Sequence, residues 1–213
     1  VVGREVRTLK EIKSHSGKRV TLTIDAELQR AVQRRLDEEQ SASAVIMDVH
    51  TGALYAMGSS PSFDPNYFVN GISVERWEEI QSHPSYPLNN KALTGQYPPA
   101  STFKMIVALA FLENGIANLK TSTYCPGHYK LGRDRFHCWK KWGHGYMNVI
   151  SALEQSCDVY FYELSTQLGI DKIAEMARRF GLGDKTGIEA VQEKSGIIHF
   201  KWACVVVRAI RGA

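Results

Sequence analysis

The spacing of apolar residues changes character at residue 25. "GREVRTLKEIKSHSGKRVTLTI" (3–24) is polar, with a strand-like end only in "RVTLTI", and reads as a linker leading into a domain. From there Leu28, Val32 and Leu36 fall four apart, one stripe of an α-helix, and Asp25 is placed to cap it. "SAVIMDVHTGALYAMGSS" (43–60) sets two apolar runs around "HTG", the pattern of a β-hairpin with Gly52 in the turn. "SSPSFDPN" is loop, and residues 71–96 are polar and irregular with a short helix around "SVERWEEIQ". "YPPASTFKMIVALAFLENG" (97–115) reads as a helix bounded by Pro98 and Pro99 before it and Gly115 after it. Residues 121–147 show no period and read as loop. Helical spacing resumes at "NVISALEQ", capped by Asn148, and continues through "VYFYELSTQLG" and "DKIAEMARRFG". There is no internal repeat. Helix, hairpin, then helices predicts an α/β or α+β domain with an antiparallel sheet.

Composition narrows this little. The chain has 213 residues, enough for one sizeable domain, with 44% apolar and 23% charged residues, ordinary for a globular chain. A net charge of +4 is too small to argue for nucleic acid. The longest apolar run, "MIVALAFL" (105–112), has the length of a buried helix face and falls short of the ~18 residues of a membrane span. The start, "VVGREVRTLK", lacks the basic and apolar blocks of a signal peptide. The expectation is a soluble chain, or one whose anchor lies elsewhere.

Candidate chemistry begins at "STFK". Ser101 and Lys104 lie three apart at a helix start, so the hydroxyl and the amine share a face. A serine hydroxyl needs a base, and an amine flanked by Phe103, Ile106 and Val107 can supply one if burial disfavours its charge. The plain alternative is a helix cap followed by a surface lysine. "SCD" follows 55 positions later, bringing Ser156 and Asp158; S-x-x-K with an S-x-[ND]-like second motif is the pairing of penicillin-interacting acyl transferases. "DKTGIE" offers Lys185-Thr186-Gly187 as a third motif, but it follows Asp158 by only 27 residues, just past an amphipathic helix, and Lys185 reads as a surface turn lysine.

Cys125, Cys138, His144 and Cys157 are spaced 13, 6 and 13 apart. No compact C-x-x-C pair is present, but three thiolates and an imidazole suit a closed tetrahedral zinc site in an otherwise irregular segment. A disulfide plus a free thiol, or unlinked buried cysteines, fit the spacing as well. His128 and His137 are reserve ligands, and Cys204 has no assignment. "KLGRDRFHCWKKWGHG" is basic and aromatic; alone it could bind nucleic acid, and it can equally be a solvated face or one that meets an acidic substrate or partner.

"YPPASTFK", "SCDVYFYELSTQLGI", "TLTIDAELQRAV", "AVIMDVHTGALYAMGSSPSFDPN", "WKKWGHGYMN" and "FGLGDKTGIE" together resemble the class B penicillin-binding proteins, in particular their cell-elongation branch, over roughly residues 3–198. The resemblance implies the penicillin-binding protein/serine β-lactamase-like transpeptidase fold, an antiparallel sheet with helices on both sides. It divides the chain into a linker (1–20), a partial transpeptidase domain (21–198) and an off-pattern tail (199–213). It implies peptidoglycan D,D-transpeptidation. Ser101 would attack the penultimate D-alanine of a stem peptide, with its own N–H forming half of the oxyanion hole. Lys104 would take the proton, Ser156 would relay one to the leaving D-alanine, and Asp158 would position the substrate amide.

β-Lactams would trap Ser101. Partners would be D-Ala-D-Ala stem peptides and the elongation glycosyltransferase and scaffold proteins, with no nucleic acid; full-length relatives are anchored in the bacterial inner membrane and face the periplasm. Some relatives carry a structural zinc near this place, and Cys138, His144 and Cys157 fit that pattern with Cys125 as fourth ligand. At a helical start, the Cys157 side chain would point about 100° from its neighbours and could hold zinc behind the catalytic residues.

The family's glycine-rich stretch and K-T-G strand have no counterpart in the tail "HFKWACVVVRAIRGA", so the resemblance implies an acylating serine with crippled turnover. Two other readings stand beside this one. A serine β-lactamase of the class that also carries "STFK" would have S-x-V as its second motif. A non-catalytic, zinc-stabilised interaction module would need no third motif.

Overall fold

In the computed structural model, which describes residues 16–69, 71–188 and 192–198, Asp25 caps α1 (Ala26–Leu36) by accepting the Leu28 N–H at 2.8 Å. β1 (Ala42–Met47) and β2 (Leu54–Ser60) pair antiparallel around Gly52, whose φ of +74° is open to glycine at little cost. α1 lies on β2. The Gln29 side-chain amide both donates to the Met57 carbonyl (3.0 Å) and accepts its N–H (2.8 Å), acting as a one-residue strand partner. Gly58 lets the helix approach, because a Cβ there would stand 2.6 Å from Leu36 Cδ1. α2 (Val74–Ser82) follows, capped by Ser73. The "RVTLTI" segment forms no strand.

The chain forms two compact units that meet in sequence between Leu88 and Asn89, inside the stretch read above as one domain. In the second unit, α3 (Lys91–Thr94) precedes a 3-10 turn (Ala100–Phe103) and α4 (Lys104–Glu113). The helix expected over 97–115 therefore starts later: two prolines leave residues 97–99 without helical hydrogen bonding, and the first turn is tightened. The segment read as loop holds two antiparallel ladders. β3 (Thr123–Cys125) pairs with β6 (Gly145–Met147), and β4 (His128–Leu131) with β5 (Asp134–His137). Strands of three or four residues are too short to show a period of two.

α5 (Val149–Glu154) opens on an Asn148–Ser151 capping box. α6 (Asp158–Leu168) is a separate helix, buried almost all round, and α4, α5 and α7 (Ile170–Arg179) pack on it. A helix buried on nearly every side is a core element; Phe161 at its centre stacks on Phe111 of α4 with ring centroids 6.0 Å apart. The mixed class and antiparallel pairing expected from sequence are present, as three two-stranded ladders among the described residues. No described helix is long and apolar enough to cross a membrane. Cys204 and the 199–213 tail lie outside the described residues, as do residues 1–15 of the linker.

Candidate active site

Two strained residues present the reactive groups. Ala100, at φ +49°, turns the chain into the 3-10 segment that exposes Ser101 and sends Lys104 into the core. Ser156, at φ +51°, ends α5. Its N–H reaches the Leu153 carbonyl (3.2 Å), and the Cys157 N–H reaches the Ala152 carbonyl (2.9 Å). These are the two hydrogen bonds of a Schellman cap, with serine in the left-handed position that glycine ordinarily takes. A non-glycine residue there is disfavoured, and two such residues flank one site.

The turns bring four groups together. Lys104 Nζ lies 3.2 Å from Ser101 Oγ, 2.9 Å from both Ser156 Oγ and the Ser156 carbonyl, and 2.7 Å from Asp158 Oδ1. Ser156 Oγ donates to Ser101 Oγ at 2.8 Å. Lys104 is 1% exposed, and its Nζ sits 5.7 Å from the Phe161 ring centroid. All four residues singled out from the sequence thus meet within hydrogen-bond distance.

Valence decides what the lysine can do. The Ser156 carbonyl and Asp158 Oδ1 can only accept, so each needs an N–H from Nζ. A neutral amine has two N–H groups and one lone pair. With both N–H groups committed, the lone pair faces the hydroxyls, which is the geometry of a base on Ser101. In the charged state the third N–H points the same way and can return the proton.

Asp158, expected from the sequence to position a substrate amide, is bonded on both oxygens within the protein. Its Oδ1 is taken by Lys104, and its Oδ2 accepts the Trp139 backbone N–H at 3.0 Å. The carboxylate is buried and directed at Lys104, so it holds the amine in place. Burial raises its pKa above the ordinary carboxylate value, and Lys104 and the Trp139 N–H oppose that rise. Trp139 was not singled out for this. Besides its backbone bond, its indole N–H donates to the Gln155 carbonyl at 3.0 Å, clamping the turn that carries Ser156. Its position one residue after Cys138 is the only sequence signal, and a weak one.

Lys185 is exposed and lies on no strand; the neighbouring Thr186 is tied through its N–H and hydroxyl to Glu193. "KTG" contributes nothing to this cluster.

Behind the site, Cys125, Cys138, His144 and Cys157 place three thiols and an imidazole within 4.8 Å of one another. His144 Nδ1 lies 3.6 Å from Cys125 Sγ and 3.5 Å from Cys138 Sγ. All three thiols are free and buried in this structure. Cys138 and Cys157 share a hydrogen bond that lowers the Cys138 pKa and raises that of Cys157. Thiolates around one zinc stand about 3.8 Å apart, given Zn–S bonds near 2.3 Å, so the donor set fits a closed tetrahedral site. Cys157 caps α6 in an extended conformation (φ −70°, ψ 110°). It is therefore the left-handed Ser156, rather than helical rotation, that parts its side chain from its neighbours'. His128 and His137 are not in the cluster; they face each other on the β4–β5 ladder.

Residues 42–212 match the penicillin binding protein transpeptidase domain family. The peptidoglycan D,D-transpeptidase MrdA of Escherichia coli K12 is 41% identical over 196 residues, which is 91% of this chain and 31% of that protein. The chain thus spans about a third of the length of this curated relative. Among solved structures, penicillin-binding protein PBP2 of Pseudomonas aeruginosa superimposes with a TM-score of 0.82 at 33% identity, over 90% of this chain and 46% of that one. PBP2 of Helicobacter pylori, in its complex with MreC, gives 0.82 at 31% identity, over 89% and 38%.

Proposed function

Because the chain belongs to the penicillin binding protein transpeptidase domain family, we propose that it carries the acylating half of a peptidoglycan D,D-transpeptidase site. The observation that carries this is the convergence of Ser101, Ser156 and Asp158 on the buried Lys104 amine. Ser101 Oγ attacks the carbonyl carbon of the penultimate D-alanine while its proton passes to neutral Lys104. The Ser101 N–H, in the first turn, faces the developing oxyanion. The tetrahedral intermediate collapses, the C–N bond breaks, and Ser156 passes its proton to the leaving D-alanine amine and is reprotonated by Lys104. The acyl group remains on Ser101 until an amine of a second stem peptide displaces it. β-Lactams present a similar carbonyl and leave the serine blocked. Asp158 holds Lys104 in place through all steps.

Turnover of a chromogenic cephalosporin tests this against a hydrolytic lactamase. The reading expects at most one equivalent of product per chain; sustained turnover would overturn it. Anchoring in the inner membrane with this domain in the periplasm, and assembly with elongation-machinery proteins, belong to the same proposal; the MreC complex of the H. pylori protein supports the assembly part.

Zinc is a second part of the proposal. Cys125, Cys138, Cys157 and His144, through Nδ1, would hold it, supported by the proximity of the four donors. Bound zinc would supply no chemistry to acyl transfer; it would tie the β3–β6 ladder, the 138–144 turn and the start of α6 together. Native mass spectrometry of the purified chain is expected to show one zinc per chain, lost in Cys157→Ala. Zinc-free protein folded to the same midpoint with and without added zinc would remove this part and leave the acyl-transfer reading intact.

A further inference from the structure

The turn that clamps Asp158 also carries two indoles and two ammonium groups outward. Trp142 is 94% exposed and Trp139 64%, with Lys140 and Lys141 exposed between them. Tryptophan is seldom this accessible unless it meets something. The turn is also rigid. The Gly143 N–H closes on the Lys140 carbonyl at 3.0 Å, while the Cys138 and His144 N–H groups bond the Gly127 and Cys125 carbonyls at 2.9 and 3.1 Å. A Cβ at Gly127 would collide with the Lys141 carbonyl, and one at Gly143 with the Cys125 carbonyl. Such a surface is held in place before any ligand arrives, which lowers the ordering cost of binding. Tyr124 and Tyr146, facing each other across the β3–β6 ladder at 5.1 Å, are 57% and 76% exposed and extend the aromatic face. Between Cys125 and Met147 the sequence has five lysines and arginines and a single acid, Asp134.

We propose that the Trp139–Trp142 turn is a rim that grips the glycan strand of peptidoglycan beside the acyl-transfer site. This rests on the transpeptidase reading above. Indole faces stack on the C–H faces of pyranose rings, and Lys140 and Lys141 meet the carboxylates of the stem peptides that hang from the strand. Charge complementarity selects an anionic polymer. The place of the turn selects which one: Trp139 is bonded to Gln155 and Asp158, which bracket Ser156, so a polymer held here is one whose peptide can reach Ser101.

Co-sedimentation of the full chain with purified peptidoglycan sacculi tests the rim. Wild type is expected to pellet, less so as salt rises. Trp142→Ala is expected to weaken binding roughly tenfold, the scale of one lost stacking contact, with Trp142→Phe retaining most of it. Lys140→Ala/Lys141→Ala is expected to weaken binding to intact sacculi but not to glycan stripped of its peptides. Unchanged thermal midpoints, expected at exposed positions, show that these variants fold. Wild type that fails to pellet, variants that bind like wild type, or displacement of sacculi by an equal concentration of single-stranded oligonucleotide would each overturn the rim. Penicillin labelling of wild-type Ser101, run in parallel, separates the two readings: labelling with unchanged pelleting removes the rim alone, and pelleting that depends on Trp142 without labelling removes the transpeptidase reading.

Discussion

Ser156 sits where a helix cap ordinarily uses glycine, so replacing it separates its conformation from its chemistry. Both Ser156→Gly and Ser156→Ala delete the hydroxyl that meets Ser101 and Lys104. They differ only at Cβ. An L-residue in the left-handed region costs roughly 1–2 kcal/mol, and glycine offsets about 0.5–1 kcal/mol of that gain through the freedom it adds to the unfolded chain. With φ at +51°, Ser156→Gly is expected to be more stable than Ser156→Ala by about 0.5–1 kcal/mol. This is the reverse of the order expected within a helix. For a chain of this size that is a difference of roughly 1–4 °C in melting midpoint, read by thermal scans or by urea midpoints at constant slope. Both variants are expected to lose Ser101 acylation by roughly a hundredfold or more, the scale of a proton-transfer group. Ser156→Ala as stable as Ser156→Gly, or more so, would refute the claim that this serine is held under strain for its hydroxyl.

Other expectations follow from the same contacts. Asp158→Asn takes the carboxylate partner from Lys104 and sets an amide N–H or an oxygen, but never two acceptors, between Lys104 and the Trp139 N–H. It should destabilise by about 3–5 kcal/mol in urea unfolding, and a change below 0.5 kcal/mol would contradict the pairing. Gly143→Ala drives a Cβ into the Cys125 carbonyl at φ +80° and should cost roughly 1–3 kcal/mol, with a loss of zinc in metal analysis if the cluster binds it. On the zinc proposal, a chelator should lower the melting midpoint while leaving the α1–β2 unit folded, as amide hydrogen exchange would show. Protection lost equally in both units would argue against a bracing role confined to the second.

Much of the site was legible because it depends on residue type at short spacing. Ser101 and Lys104 share a face by helical geometry alone, and Asp25 and Asn148 act as caps through side chains that bond their own backbone. What was not legible depends on tertiary context. The left-handed conformation of Ser156 has no residue signature, because serine rather than glycine occupies it. The two ladders within 121–147 use strands too short for periodicity. That Asp158 is bonded to Lys104 follows from burial and from a backbone N–H nineteen residues away, which no local pattern encodes. The cysteine and histidine spacing raised a metal as one of three readings. Only folding shows the donors converging.

The central claim is that Ser101 is the nucleophile that Lys104 and Ser156 serve. Intact-protein and peptide mass spectrometry after prolonged exposure to benzylpenicillin tests it most directly. The account predicts one covalent adduct per chain, slow to accumulate and confined to Ser101, absent in Ser101→Ala and strongly reduced in Lys104→Ala. An unmodified chain, or an adduct that persists in Ser101→Ala, would contradict it.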